Sequence, residues 1–262
     1  SMVLISAHRC GAGNDVSMEN TVEAMNGAIA LGVDYVEFDV QRCQDGAFVL
    51  FHDDVIVHQG EVKEISSVTY SEFSESVPEH MVLEEALATL AGRVKAHIDL
   101  KFTSPDYEDV YSTFEVDVAQ RACAMMGVGN FIITTRYDAS VRAVVDWSVM
   151  EGLDIVVGLS IGGPSDGMGS FDAFIHRVTN RFPFFRFDSC GAQLVVSHHE
   201  NATSGFHEIM GLPLLVWTVD DPDDMKKWLG SNAWMMTTNH PDVAMRIRDL
   251  EENSSHSKEG SV

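Results

Sequence analysis

The sequence predicts an α/β fold, a TIM (β/α)8 barrel with an extra antiparallel hairpin strand and only a minimal insertion. Three observations lead there. Short apolar runs alternate with longer amphipathic segments along most of the 262 residues, the pattern of right-handed βαβ units and a parallel sheet. The runs number nine, one more than a barrel needs, and the Asp45-Gly46 step explains the surplus as a hairpin return. The length also suits one barrel, for which roughly 250 residues is typical. The runner-up is an open doubly wound sheet, but no glycine-rich loop follows the first strand.

In chain order, an apolar strand is expected at 3–8. A helix follows at 20–31, with Val22, Met25, Ala28 and Ile29 on one face and Gly32 as its stop. The strand at 35–40 turns at Asp45-Gly46 into its antiparallel return at 48–52. A helix at 83–91 carries Glu84 and Glu85 in its first turn, where the helix dipole favours them. Strands at 94–100, 131–135, 155–160, 193–197, 214–219 and 235–238 then alternate with helices at 107–126, 139–151, 171–182, 198–210 and 222–229. No repeat or linker interrupts this series, so residues 1–250 read as one domain and 251–262, rich in Ser, Glu and Asn, as a flexible tail.

Composition narrows the function. Seventeen Lys and Arg against forty Asp and Glu give a net charge of −23. Nucleic-acid binding needs a basic footprint and is excluded as an expectation, and adsorption to anionic membranes is disfavoured for the same reason. No apolar run approaches the roughly 18 residues of a membrane span, and no basic segment leads into an apolar one at the start, so a cytoplasmic location is expected. Cys10, Cys43, Cys123 and Cys190 lie far apart without a CxxC pair and read as free thiols.

In a barrel the chemistry sits at the C-terminal ends of the strands. Those ends carry His8-Arg9, Glu37-Phe38-Asp39, His52-Asp53, Asp99 with Lys101, and Trp217. Glu37 and Asp39 are two apart in a strand and share a face. Adjacent carboxylates repel, so either one takes a proton or a cation sits between them. With Asp99 as a third oxygen donor and no cysteine nearby, the set suits Mg2+ or Ca2+; a shared proton, or salt bridges to Arg9 or Lys101, is the alternative. His8 and His52 flank the acids and could accept and donate a proton. His97 reads as a core residue lower in the barrel. His58, His80, His176, His198, His199, His207, His240 and His256 read as ordinary hydrogen-bonded histidines.

These residues, in this order, resemble the glycerophosphodiester phosphodiesterase family, within the superfamily of phosphatidylinositol-phospholipase-C-like phosphodiesterases. The resemblance rests on His8-Arg9-Cys10, Glu19-Asn20-Thr21, Glu37-Phe38-Asp39-Val40, Asp45-Gly46, His52-Asp53-Asp54, Ile98-Asp99-Leu100-Lys101, Trp217-Thr218-Val219-Asp220 and Thr238-Asn239-His240-Pro241-Asp242. It spans about residues 3 to 245. It implies hydrolysis of a glycerophosphodiester to glycerol 3-phosphate and an alcohol, with one divalent cation on Glu37, Asp39 and Asp99. It further implies acid–base work by His8 and His52, phosphate contacts from Arg9 and Lys101, and a pocket wall at Trp217, with Glu19 and Asp53 in support. The assignment adopted is His52 as acid and His8 as base. A lysophospholipase D or sphingomyelinase-D-like activity, and a silent phosphodiester-binding barrel, are the alternatives.

The chain departs from the family pattern at several points. Cys10 stands for a glycine, Asp99 for the commoner Glu, Asn239 for an Asp, and Arg136-Tyr137 for a Ser-Phe pair. Arg136 should project at the barrel mouth, either toward an anionic group of the substrate or into a pair with a local carboxylate such as Asp138.

Overall fold

Nine strands of the computed structural model form one sheet, eight of them parallel and closed on themselves. The structure describes residues 2–104, 106–163, 170, 171, 173, 174, 183–202 and 205–259. The barrel strands are β1 (Leu4–Ala7), β2 (Tyr35–Arg42), β6 (Lys95–Leu100), β7 (Phe131–Thr135), β8 (Val156–Ile161), β9 (Leu194–His198), β10 (Leu214–Trp217) and β11 (Met235–Thr238). β1 pairs with both β2 and β11, which closes the ring. β3 (Phe48–Leu50) lies antiparallel against the outer end of β2, with Val40 opposite Leu50, the hairpin return expected at Asp45-Gly46. Gly46 there has φ 86°, a conformation that costs glycine least.

The strand period of two sorts each chain into an outward and an inward set. On β2, Phe38 and Val40 join the large apolar core that includes Met25, Leu87 and Val116 of the surrounding helices. The alternate residues Tyr35, Glu37, Asp39 and Gln41 share the other face. Tyr35, Ile132, Leu194, Val196, Leu215 and Met235 form a separate apolar cluster, mostly from the N-terminal ends of their strands. One end of the barrel is thus filled with hydrocarbon, and the polar inward residues collect at the other. Gly158 of β8 makes room for this filling: a Cβ there would lie 2.8 Å from Val196 Cγ2.

The helices follow expectation at Val22–Leu31, Leu83–Leu90, Asp138–Glu151 and Pro222–Leu229. Thr21 and Asp221 cap the first and last of these through their side-chain oxygens. Three boundaries differ. The helix expected from 107 begins at Phe114, because Thr113 caps it and Asp109 caps a separate short turn at Val110–Ser112. The helix expected from 198 is confined to Phe206–Met210, and His198 ends β9. The last helix, Pro241–Glu259, continues through the stretch expected as a tail. The structure adds a hairpin of β4 (Val55–His58) and β5 (Glu61–Glu64), and helices at Tyr70–Ser76 and Phe184–Cys190. Most of the helix expected at 171–182 lies outside the described residues. Among the described residues no helix is long and apolar enough to cross a membrane.

Candidate active site

Three carboxylates meet at the mouth. In the β2–β6 register Asp39 lies beside Asp99 and Glu37 beside His97, and one oxygen from each of Glu37, Asp39 and Asp99 falls within 4.8 Å of the others. Glu37 and Asp39 are almost fully buried. Lys101 Nζ stands 2.9 Å from Asp99 and 3.4 Å from Asp39. Asn20 donates to Asp39 at 3.0 Å, and Arg9 Nε is 3.7 Å away. Burial alone would raise the Asp39 pKa, yet Lys101, both mouth histidines and the Asn20 bond together take it down to about 2. Glu37 goes the other way. Burial, then Asp39 and Asp99, push it well above the usual carboxylate range, and the 2.6 Å bond from the Arg9 backbone N–H offsets this only in part. Lys101 therefore answers Asp99 and Asp39, while Glu37 must take a proton or share a cation. Three hard oxygen donors around one point, with the charge of Glu37 uncompensated, fit a divalent ion.

A relay behind Asp99 fixes its orientation. Thr134 donates its hydroxyl proton to Asp99 Oδ1 at 2.7 Å. His97 Nε2, 2.9 Å from the same hydroxyl, must then be the donor there, which leaves Nδ1 to accept from Ser6 Oγ at 3.0 Å. His97 is buried and neutral. Burial lowers its pKa to about 4 despite the opposing pull of Asp99.

His8 carries a similar constraint. Its Nδ1 lies 2.8 Å from Asn239 Oδ1, and Asn239 Nδ2 donates to Asp220 Oδ2 at 2.8 Å. A carboxylate only accepts, so the Asn239 amide can present only its oxygen to His8. His8 Nδ1 therefore bears the proton, and the Nε2 lone pair is left for chemistry. The ring sits in a cleft where protein replaces most of its water. This desolvation, with Arg9 next in weight, lowers its pKa to about 4. His52 contrasts with it: about a third exposed, it pairs through Nδ1 with Asp53 Oδ1 at 2.9 Å.

The cations are engaged in the structure. Arg9 Nη1 bonds Glu19 at 2.9 Å. Arg9 and Cys10 occupy the left-handed region at φ 46° and 68°, where a glycine would be at ease. The departure at Cys10 thus keeps the glycine-like conformation and fills the space with a buried thiol. Arg136 is half-exposed at the mouth as expected. The pairing with Asp138 is corrected, however, because Arg186 takes that carboxylate at 2.7 Å. Arg136 instead lies over the Tyr137 ring, donates to its hydroxyl at 2.7 Å and stands 3.8 Å from Asp54. Trp217 ends β10, in edge contact with the His198 imidazole at 5.2 Å between centroids.

Residues 8–128 match the glycerophosphoryl diester phosphodiesterase family. A glycerophosphodiester phosphodiesterase of Arabidopsis thaliana is 26% identical over 96% of this chain and 77% of its own length. By sequence the chain is similar to glycerophosphodiester phosphodiesterases. Solved structures of two further proteins share the fold. A glycerophosphodiester phosphodiesterase from Parabacteroides distasonis superposes with a TM-score of 0.72 at 20% identity, over 95% of this chain and 98% of that one. An Oleispira antarctica phosphodiesterase in complex with the product sn-glycerol-3-phosphate gives 0.67 at 16%, over 95% and 97%.

Sequence reasoning brought together the carboxylates, His8, His52, Arg9, Glu19, Lys101 and Trp217, and the structure gathers them around one end of the barrel. It missed the parts that orient them. Asp220, Thr134 and Gln41 are polar residues at inward or strand-end positions, a signal that was available. His198 was masked by the helix expected to start there. His58, His80 and His207 are hydrogen-bonded within the fold as expected, while His176 lies outside the described residues. The four cysteines are free.

Proposed function

We propose that the chain hydrolyses glycerophosphodiesters to glycerol 3-phosphate and an alcohol, using a divalent cation, Mg2+ or Ca2+, on Glu37, Asp39 and Asp99. The observation that carries this reading is the convergence of three carboxylates, two of them buried, beside a histidine whose free lone pair is fixed by its partners. The cation, when bound, supplies Lewis-acid charge to a phosphoryl oxygen.

The protein's own groups do the rest. His8 Nε2 takes the proton of the attacking oxygen, whether water or a neighbouring glycerol hydroxyl, and the neutral state that burial imposes keeps it competent as a base. His52, next to the Asp53 carboxylate, gives a proton to the leaving alkoxide. Lys101 and Arg9 supply fixed positive charge at the phosphate. Glu19 sets the direction of Arg9, and Trp217 walls the alcohol side. Arg136 and Tyr137 stand at the rim, where the head group leaves. Residues 1–250 act as one domain, and the partner is a small phosphodiester, with no nucleic acid and no membrane insertion.

The test is release of glycerol 3-phosphate by wild type, His8→Ala and His52→Ala. Each substitution should lower kcat by about 10²–10⁴ with the fold retained. Near-full turnover in either variant would remove that histidine from the mechanism.

A further inference from the structure

Gln41 is a buried amide that neither the metal cluster nor the acid–base pair uses. It follows Glu37 and Asp39 on β2 at the same two-residue step, so all three project from one face of one strand. Its side chain is 4% exposed. Its Nε2 reaches the loop after β3, donating to the Asp53 carbonyl at 3.0 Å and to Asp54 Oδ1 at 3.1 Å, with the His52 carbonyl at 3.5 Å. Carbonyls and carboxylates only accept, so the amide must turn its two protons toward this loop.

The loop is pinned at both ends. Phe51 N–H donates to the Asp39 carbonyl at 3.2 Å, and Ile65 N–H to the Asp54 carbonyl at 2.9 Å, where the β4–β5 hairpin begins. Between these anchors run His52 and Asp53. Both are partly or largely exposed, and their imidazole–carboxylate pair is local to the loop. Arg136 approaches the other oxygen of Asp54 at 3.8 Å. Gln41 is the buried link from the strand bearing two of the three carboxylates to the backbone of the segment bearing His52.

We infer that Gln41 is a positioning residue for His52. It holds that imidazole at a fixed distance from the Glu37–Asp39 edge, so that the proton donor and the carboxylates that would hold the cation move as one body. The inference rests on the reading of His52 as the acid. A shift of about 1 Å in a catalytic group can cost about 100-fold in rate, so a loosened loop should tell on kcat before KM.

The experiment is a double-mutant cycle of Gln41→Met and His52→Ala, read with two glycerophosphodiesters. One has a poor alkoxide leaving group and the other a nitrophenolate, which needs no proton. Met matches the length of Gln and has no donor. With the poor leaving group, Gln41→Met should lower kcat about 10- to 100-fold, with KM and the urea midpoint close to wild type. With nitrophenolate the loss should shrink to within about threefold, as it should for His52→Ala. In the His52→Ala background, Gln41→Met should add little. Full turnover by Gln41→Met, an equal loss with both substrates, or an additive loss on top of His52→Ala overturns the inference. A fully active His52→Ala would instead overturn the role of His52. If Gln41→Met does not fold, Gln41→Glu keeps the shape, sets a carboxylate against two carbonyls, and should show the same leaving-group dependence.

Discussion

Replacing Asp220 with Asn inverts the logic that orients His8. In the wild type, Asp220 Oδ1 accepts from the Asn239 backbone N–H at 2.8 Å and from Thr238 Oγ1 at 3.2 Å, while Oδ2 accepts from the Asn239 amide. In Asp220→Asn the two donors at the first position select the carbonyl oxygen for it. The new NH2 then faces the Asn239 NH2. Two donors cannot bond, so Asn239 rotates its amide and offers nitrogen to His8. His8 Nδ1 must now accept, its proton moves to Nε2, and the lone pair needed for catalysis is gone. The energy favouring this flip is one or two hydrogen bonds, about 1–3 kcal/mol, enough to make the wrong tautomer predominate. Loss of the correct tautomer in a histidine-based hydrolase costs about 10⁴ in kcat; with a residual population of the right form, the expected loss here is about 10²–10³. The assay is release of glycerol 3-phosphate under saturating substrate, with imidazole 15N chemical shifts of His8 to read the tautomer directly. KM and the urea midpoint should change little, because one isosteric amide replaces one carboxylate. A variant that keeps more than a third of wild-type kcat, or a His8 spectrum still showing the proton on Nδ1, would refute the reasoning.

Further outcomes follow from the same geometry. Arg136→Ser should lower kcat/KM for acidic head groups relative to neutral ones by about threefold to tenfold, the worth of one exposed charge-assisted bond; an unchanged ratio leaves Arg136 as a partner of Tyr137 and Asp54 alone. His97 has a folded pKa of about 4, below its ordinary 6.5, so its stabilising contribution is whole above pH 6.5 and is lost as pH falls toward 4, where the unfolded chain binds a proton that the folded one refuses. Between pH 7 and 5.5, wild type should lose about 1 kcal/mol more than His97→Gln in urea unfolding; parallel losses would show that His97 titrates freely. Thr134→Val should weaken activation by added Mg2+ or Ca2+ several-fold by freeing Asp99 and leaving His97 Nε2 without its acceptor, and an unaltered metal titration would show that the relay does not matter.

The barrel was legible because its signals are redundant. Each inward-facing polar residue at the mouth interrupts an apolar strand, and eight such strands alternating with helices leave few topologies. The site was legible for the same reason, since Glu37, Asp39 and Asp99 sit where only packing residues belong unless there is chemistry. The β4–β5 hairpin was not, because its turn is Gln59-Gly60, with Gln59 at φ 51°, and glutamine is not among the residues that announce such turns. The helix at Phe184–Cys190 lies in a Phe-rich stretch without an amphipathic period. Orientation was the hardest part to read. That Asn239 bonds Asp220 rather than water, and that Gln41 turns toward the His52 loop, depends on contacts across strands that no local pattern encodes. Asn239 looked like a simple loss of charge from the family's Asp. In the fold its neighbour Asp220 supplies the charge one bond further back.

The central claim is that Glu37, Asp39 and Asp99 together hold a catalytic divalent cation. The most direct measurement is calorimetric titration of the metal-stripped protein with Mg2+ and Ca2+, paired with turnover of a glycerophosphodiester in the same samples. One site per chain should appear and turnover should rise in proportion to its occupancy. EDTA should abolish both, and Glu37→Gln should lose both while keeping the wild-type unfolding midpoint. Full turnover in the stripped protein, or tight binding that persists in Glu37→Gln, would contradict the account.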